Sequence, residues 1–513
     1  MSARAALRSF DSRGAPVAFG AIAALLVAIT WGFPLGAIPL MHDEWAYWTQ
    51  AGQYAGLHWA LASPPMPEFF EQLYVLVTPV FAAKYWPGHA LAIAPGFALG
   101  FPALMPLLLT GMTGGLVFAL ARRVANAPVA VLTFVLWVST FGNLRFRATY
   151  FSELTTSCLW LIAWWALLRW RDTKRWPWMA LLAVATGWGA ITRPATMFLF
   201  AIPIGIVVIV DCWRNARWNQ LGVGVACGIA VLAILPLWSA RVTGSWRVTP
   251  LAEYTRQYLP FDLPGYTVNV TPPERALPAE MERVRGFLRD IKTEQATAPV
   301  TSTFFSRAGL LMRDAFAGWR VPFVLAFAIG LLMGGIAAWF TIATSLLLVV
   351  GYVTQAHTAD WSIYYLETYP AIAFVAALGV RTVWRRTPAG RAGFAALPVW
   401  AAVVIAAATA AGVAYDTISA RDTLARIASH TRTFRTGVAN LEKQPNIVFV
   451  RYAAPERRNM HLSLVANDGD LEHAASWIVH DRGADDVRLM NLAPGRTAYL
   501  YDESKNTFYE MTR

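Results

Sequence analysis

His42-Asp43-Glu44-Trp45 sets two adjacent carboxylates directly after an apolar run, residues 17–38. Ionisable groups at the mouth of a membrane helix are costly to hold near hydrocarbon and by default mark function. Aromatic residues follow at once: Trp45, Tyr47, Trp48, Tyr54 and Trp59. Such side chains favour the membrane–water interface, one end apolar and one end wet. Acid, aromatics and a membrane surface together point to chemistry on a lipid-linked substrate. The plain structural alternative is a cap, with Asp43 covering the N-terminus of an interfacial helix. Position alone does not separate the two.

The rest of the chain agrees with a membrane setting. Of 513 residues, 56% are hydrophobic and 14% charged, and mean hydropathy is +0.42. A soluble chain is about 45–50% apolar and about 25% charged, so this is an integral membrane protein. The three cysteines, Cys158, Cys212 and Cys227, lie in or beside apolar segments, with no zinc or disulfide spacing. The net charge of +12 reads as orientation and attraction to anionic headgroups, not as nucleic-acid binding. There is no repeat and no glycine-rich nucleotide loop, which counts against a nucleotide-driven pump. Gly111, Gly114 and Gly115 fall inside an apolar stretch and read as close helix packing.

An apolar run of about 20 residues spans a bilayer. Hydropathy predicts spans near 17–38, 96–120, 126–142, 153–170, 177–191, 195–211, 220–239, 319–333, 336–354, 367–384 and 394–415, about eleven in all. Cations test the layout, because cytoplasmic loops carry the excess of Lys and Arg. Short loops on one side hold Arg4, Arg8, Arg13, Arg122, Arg123, Arg169, Arg171, Lys174, Arg175, Arg214, Arg217, Arg381, Arg385, Arg386 and Arg391. Those on the other side hold only Lys84, Arg145, Arg147 and Arg193. The N-terminus is therefore expected inside and the C-terminus outside, with the first helix uncleaved. The four outside cations break the bias, so each needs another reason: an anionic substrate, or a carboxylate packed nearby.

Two regions are expected. Residues 1–415 form the membrane domain, with a first outside loop at 39–95 and a long one at 240–318. The first loop reads as short surface helices, and 273–292 as an amphipathic surface helix. Residues 416–513 change composition and read as a small α/β appendage, with a strand at 447–450 and a terminal hairpin over 498–509. An appendage of that size is expected to lean on the membrane domain.

Several short motifs share the outer side. Asp43-Glu44 follows the first helix, and Lys84 to Gly88 reads Lys-x-x-Pro-Gly before the second span. Glu153 opens a later helix, Thr192-Arg193-Pro194 follows a glycine-containing span, and Tyr364, Tyr365, Glu367 and Pro370 form Tyr-Tyr-x-Glu-x-x-Pro. Pro494-Gly495-Arg496-Thr497-Ala498-Tyr499 lies in the tail. In this order and placement they resemble the polytopic glycosyltransferases of GT-C type. The likeness is to bacterial members of the dolichyl-phosphate-mannose mannosyltransferase and RgtA/B/C/D-like superfamily, which includes the lipid A aminoarabinose transferase. It runs over nearly the whole chain. Some branches have Asp-Asp or a lone Asp where this chain has Asp43-Glu44.

The resemblance implies an all-α polytopic membrane domain with a small C-terminal α/β domain outside the membrane. It also implies a bacterial inner-membrane enzyme that transfers a sugar from a polyprenyl-phosphate donor to a glycan, lipid or protein acceptor on the outer face. An acceptor hydroxyl is a poor nucleophile near neutral pH and needs a base; Asp43 is the candidate, with Glu44 as its support, a metal ligand or a cap. Metal dependence stays open, since a carboxylate pair such as Asp43 and Glu44 can hold a divalent cation. The leaving phosphate gains charge that preorganised cations stabilise, with Lys84 first and Arg145, Arg147 and Arg193 as alternatives or companions. His357 and Tyr365 are candidate donors to phosphate or sugar, His357 being equally readable as a capped interfacial histidine. Tyr364 and Tyr365 also read as anchoring aromatics. Glu153 is a candidate to hold the acceptor, share the base role or pair with Arg147. Acceptor choice is expected in the long outside loop and the tail. A transporter for a lipid-linked glycan is the runner-up; it would place its charges near the midplane at broken helices, whereas these cluster at one face.

Overall fold

The computed structural model describes residues 10–34, 36–358, 360–387, 399–454 and 459–512. Arg4, Arg8 and Arg391 of the charge count, and the start of the last expected span at 394–398, lie outside the described residues. Helix α1 (Ala15–Trp31) stops at Gly32, whose left-handed backbone (φ 66°) turns its N–H back to the carbonyls of Ala28 and Ile29. Helices α2 (His42–Ala55) and α3 (Pro87–Ala98) follow, before the apolar α4 (Leu104–Val124). A Cβ on Gly20 would meet the Gly111 carbonyl oxygen at 2.6 Å, and one on Gly115 the Pro16 carbonyl oxygen at 2.8 Å. Helices α1 and α4 therefore lie backbone to backbone, the role expected of these glycines.

The bundle continues through α5 (Ala127–Val138), α6 (Phe141–Arg147), α7 (Glu153–Thr173), α8 (Trp176–Ala190) and α9 (Pro194–Arg214). Helices α10 (Trp218–Leu232) and α11 (Ile234–Thr243) make one apolar stretch of 26 residues. After the long outside loop come α15 (Phe323–Met333), α16 (Gly335–Tyr352), α17 (Tyr369–Trp384) and α18 (Val399–Ala439); the loop itself carries α12 (Pro250–Gln257), α13 (Ala279–Thr297) and α14 (Val300–Phe316). Trp137, Trp160 and Trp170 are fully buried in the main core.

Six described helical stretches are long and apolar enough to cross a membrane, seven if α5 and α6, bent by 69°, count as one. This is fewer than the eleven stretches expected from hydropathy. Helices α1, α8 and α15 have 17, 15 and 11 residues, short of the about 20 of a straight full span.

The first loop, residues 39–95, differs from a set of surface helices. Helix α2 packs on a three-stranded antiparallel sheet, order β1-β3-β2, made of β1 (Leu61–Ala62), β2 (Val75–Leu76) and β3 (Val80–Ala83). The surface helix of the long loop is present as α13. In the tail, β4 (Asn446–Arg451) lies parallel to both β5 (Ser476–His480) and β6 (Thr497–Asp502). The expected hairpin is β6 with β7 (Thr507–Glu510). The boundary expected at 415–416 falls inside α18, a single helix of 41 residues.

The tail sheet shares a core with the first outside loop: Phe69, Phe70 and Leu73 bury against Ile447, Phe449, Val479 and Leu489. Polar ties cross the same seam. Thr49 Oγ1 donates to the Asn467 carbonyl at 2.9 Å, Trp48 Nε1 to Asp468 at 3.0 Å, and His480 Nε2 to the Glu71 carbonyl at 2.7 Å.

Candidate active site

The two acids that open α2 point to different partners. Glu44 sits at the third helical position and accepts from the backbone N–H groups of Leu40 (3.4 Å) and Met41 (3.3 Å) with one oxygen. Its other oxygen accepts from the N–H of Tyr150 at 3.1 Å. It caps its own helix and ties the α6–α7 connection to it. Glu44 is buried, and that burial pushes its carboxyl up to about 7 against the pull of these N–H groups. Asp43 is only half-buried and accepts a hydrogen bond from the Tyr85 hydroxyl. Burial raises its carboxyl above the ordinary range, opposed by that hydrogen bond and by the charge of Lys84.

Lys84 is placed by the small sheet. Its N–H donates to the Tyr74 carbonyl at 2.9 Å as β3 ends. Its ammonium lies 4.2 Å from the centre of the Tyr74 ring and 3.5 Å from Asp262, a carboxylate of the long outside loop. Four residues on, the Gly88 N–H donates to the Ile191 carbonyl at 2.9 Å. A Cβ there would stand 2.3 Å from Thr192 Oγ1 and 2.9 Å from the Ile191 backbone. Only glycine allows that approach, and it sets the Lys-x-x-Pro-Gly segment against Thr192-Arg193-Pro194.

Arg193 precedes the first turn of α9. It forms an ion pair with the buried Glu153 at the start of α7, and its Nη2 donates to the Tyr352 hydroxyl at 2.8 Å. Its guanidinium lies 5.6 Å from the centre of the Tyr364 ring. Tyr364 is within electrostatic reach of Asp43, Arg193, Glu153 and Asp262 together. Asp43, Tyr85, Arg193, Tyr364 and Asp262 all keep partial exposure, while Glu44, Lys84 and Glu153 are buried behind them.

Of the expected site residues, Asp43, Lys84, Glu153 and Arg193 come together. Glu153 pairs with Arg193, not with Arg147. His357 and Tyr365 stand behind Tyr364: the His357 ring stacks on Tyr364 at 4.6 Å. Its Nδ1–H donates to the Thr358 carbonyl (2.8 Å), so Nε2 accepts from the Tyr365 hydroxyl at 2.9 Å. Burial lowers His357 to about 3, keeping it neutral. Arg147 lies elsewhere, fully buried in the bundle, donating to Asn143 (2.7 Å) and Ser157 (3.1 Å) over the Trp137 ring. Arg145 stacks on Phe146 at 4.5 Å and joins no carboxylate of the Asp43 cluster.

Tyr85 and Asp262 were not among the expected site residues. Tyr85 lies inside the motif that flagged Lys84; Asp262 has no signal, being one acid in a charged loop. Three backbone N–H groups on Glu44, two on one oxygen and one on the other, leave the Asp43–Glu44 pair little free capacity for a divalent cation. No group of three or more His, Cys, Asp or Glu able to hold a metal occurs among the described residues.

No family model matches the chain, and no curated protein matches it in sequence. Solved structures do match. ArnT from Cupriavidus metallidurans bound to undecaprenyl phosphate aligns with TM-score 0.54 and 14% identity, over 94% of this chain and 92% of that one. The apo state of ArnT from Cupriavidus metallidurans aligns with TM-score 0.44 and 13% identity, over 93% and 92%. The apo Archaeoglobus fulgidus oligosaccharyltransferase aligns with TM-score 0.44 and 11% identity, over 86% of this chain and 63% of that one. At such identity the first of these likenesses speaks for the fold. The chain is a multi-pass membrane protein with the fold of that ArnT structure.

Proposed function

We propose that this chain is a polyprenyl-phosphate-dependent membrane glycosyltransferase. It transfers a hexosyl or pentosyl group to an acceptor on the outer face of a bacterial inner membrane. In this reading the chain crosses eleven times, with its N-terminus cytoplasmic and its tail periplasmic. The observation that carries the reading is the meeting of Asp43, Lys84, Glu153 and Arg193 from four separate segments beside a membrane bundle.

Each group has a task there. Asp43 takes the proton of the acceptor hydroxyl as its oxygen attacks the anomeric carbon. The bond from that carbon to the phosphate oxygen breaks, and its electron pair leaves with the phosphate. The raised carboxyl of Asp43 suits a base, since a stronger base shares more of the proton at the transition state. Lys84 and Arg193 stabilise the charge that grows on the phosphate. Each already lies against a carboxylate, Asp262 and Glu153, which aims it before the donor arrives. Glu44 holds the turn that carries Asp43. An apolar cavity of about 350 Å³ among α4, α7, α9, α16 and α17, lined by Leu120, Leu161, Trp164, Val207, Phe340 and Phe374, has room for a few isoprene units of the prenyl chain. The cavity reaches Pro370, next to the Tyr-Tyr-x-Glu segment.

Purified protein supplied with polyprenyl-phosphate-linked sugars and an acceptor extract tests this. Asp43→Asn is expected to cut transfer by about 10²–10⁴-fold, the contribution of a positioned base. Wild-type rates in that variant would rule out the base. Movement of the lipid without sugar transfer by the unaltered protein would favour a transporter.

A further inference from the structure

Where α16 gives way to α17, residues 355–367 lay aromatic rings in a row. Tyr364 has the buried His357 stacked on it at 4.6 Å and 27°. Trp361 follows at 6.4 Å and 30°. His461, from the tail, meets Trp361 edge-on at 5.9 Å and 75°, and is itself backed by Phe287 of α13 at 5.3 Å. Trp361, Tyr364 and His461 keep partial exposure. The row therefore has a buried backing and an accessible side.

Its two ends are fixed on the reacting groups. At one end the Arg193 guanidinium lies 5.6 Å from the Tyr364 ring. At the other, the turn that carries His461 is tied to the residues just before Asp43. His42 Nε2–H donates to the Met460 carbonyl at 2.9 Å, and Met41 bridges Leu462. If Arg193 holds the donor phosphate and Asp43 the acceptor hydroxyl, the sugar must lie between them, beside Tyr364, which is within reach of both. A sugar ring offers a face of C–H groups that is apolar and weakly positive. An aromatic ring offers a negative face, tryptophan the largest. Stacking of the two needs no charged partner and leaves the hydroxyl groups in water.

We propose that Trp361 and Tyr364 form the platform on which the sugar of the donor stacks, with His461 keeping the indole in plane. This rests on the transferase reading above. The test measures binding of the purified full chain to undecaprenyl phosphate and to undecaprenyl-phosphate mannose, glucose, galactose and aminoarabinose. The wild type is compared with Trp361→Leu, which keeps apolar bulk without a ring, and Trp361→Phe, which keeps a ring. The wild type is expected to bind at least one sugar-bearing lipid about fivefold or more tightly than the bare phosphate, the scale of one stacked ring. Trp361→Leu should erase that preference while leaving affinity for the bare lipid within about twofold, and Trp361→Phe should retain most of it. The platform is overturned if Trp361→Leu keeps the preference, if the bare lipid is weakened as much as the sugar-bearing forms, or if the wild type shows no preference. A wild type that binds no polyprenyl phosphate at all would instead remove the transferase reading, and the platform with it.

Discussion

Asp43 and Glu44 are neighbours in sequence and opposites in environment. One stays half-exposed beside Tyr85; the other is buried and consumed by backbone N–H groups. The raised carboxyl of Glu44 has a consequence for stability. Its proton is bound more tightly in the folded chain than in the unfolded one, from 4.5 up to about 7. The contribution is therefore full below about pH 4.5 and is lost as pH rises through about 7, up to about 3 kcal/mol by linkage. Glu44→Gln is expected to flatten the fall in melting temperature between about pH 5 and 8; parallel pH profiles for the two proteins would refute the shift. At this scale the site was partly legible. Lys84 and Arg193 stood out because outside cations violate the orientation bias. Arg145 and Arg147 were flagged by the same bias, yet Arg147 is met by Asn143, Ser157 and the Trp137 face. Charge counting cannot tell a structural cradle from a substrate site. Trp361 and His461 gave no signal, since their meaning lies in a contact between segments 100 residues apart.

At the scale of elements, Gly88 is the joint between two motifs. Gly88→Ala would drive a methyl into Thr192 and the Ile191 backbone, which cannot move without shifting Arg193. Overpacking of this kind costs about 1–3 kcal/mol. Both a lower melting temperature and a loss of transfer greater than the loss of folded protein are expected; a variant with wild-type melting and rate would show the contact to be slack. The tail hairpin was legible because apolar alternation flanks a polar turn. The sheet of the first loop was not, because β1 and β2 have two residues each and β3 four, too few for a period of two to register. The eleven apolar stretches each contain helix, but hydropathy does not report helix length or breaks such as the 69° bend between α5 and α6.

At the scale of the whole molecule, the order of the motifs pointed to the fold that this chain shares with the ArnT structure at 14% identity. The joint between tail and first loop was legible only as a general need for support. In the structure it is a shared core. A chain ended after residue 440 would uncover Phe69, Phe70 and Leu73 and leave Thr49 and Gln72 without their tail partners. Its first outside loop should become open to limited proteolysis between residues 61 and 83, with transfer abolished. Continued protection of that segment would show that the loop folds alone.

Helix α18 joins the bilayer to the tail sheet without a break over 41 residues. A helix advances about 1.5 Å and turns about 100° with each residue, so α18 sets both the altitude and the compass bearing of that sheet. Losing one residue would barely lower the sheet but would swing it about 100° away from the first loop. Adding seven, close to two whole turns, would keep the bearing and raise it about 10 Å, out of reach of the same surface. The length of this mast is thus locked in both respects, and variation in the tail is confined to the loops beyond it.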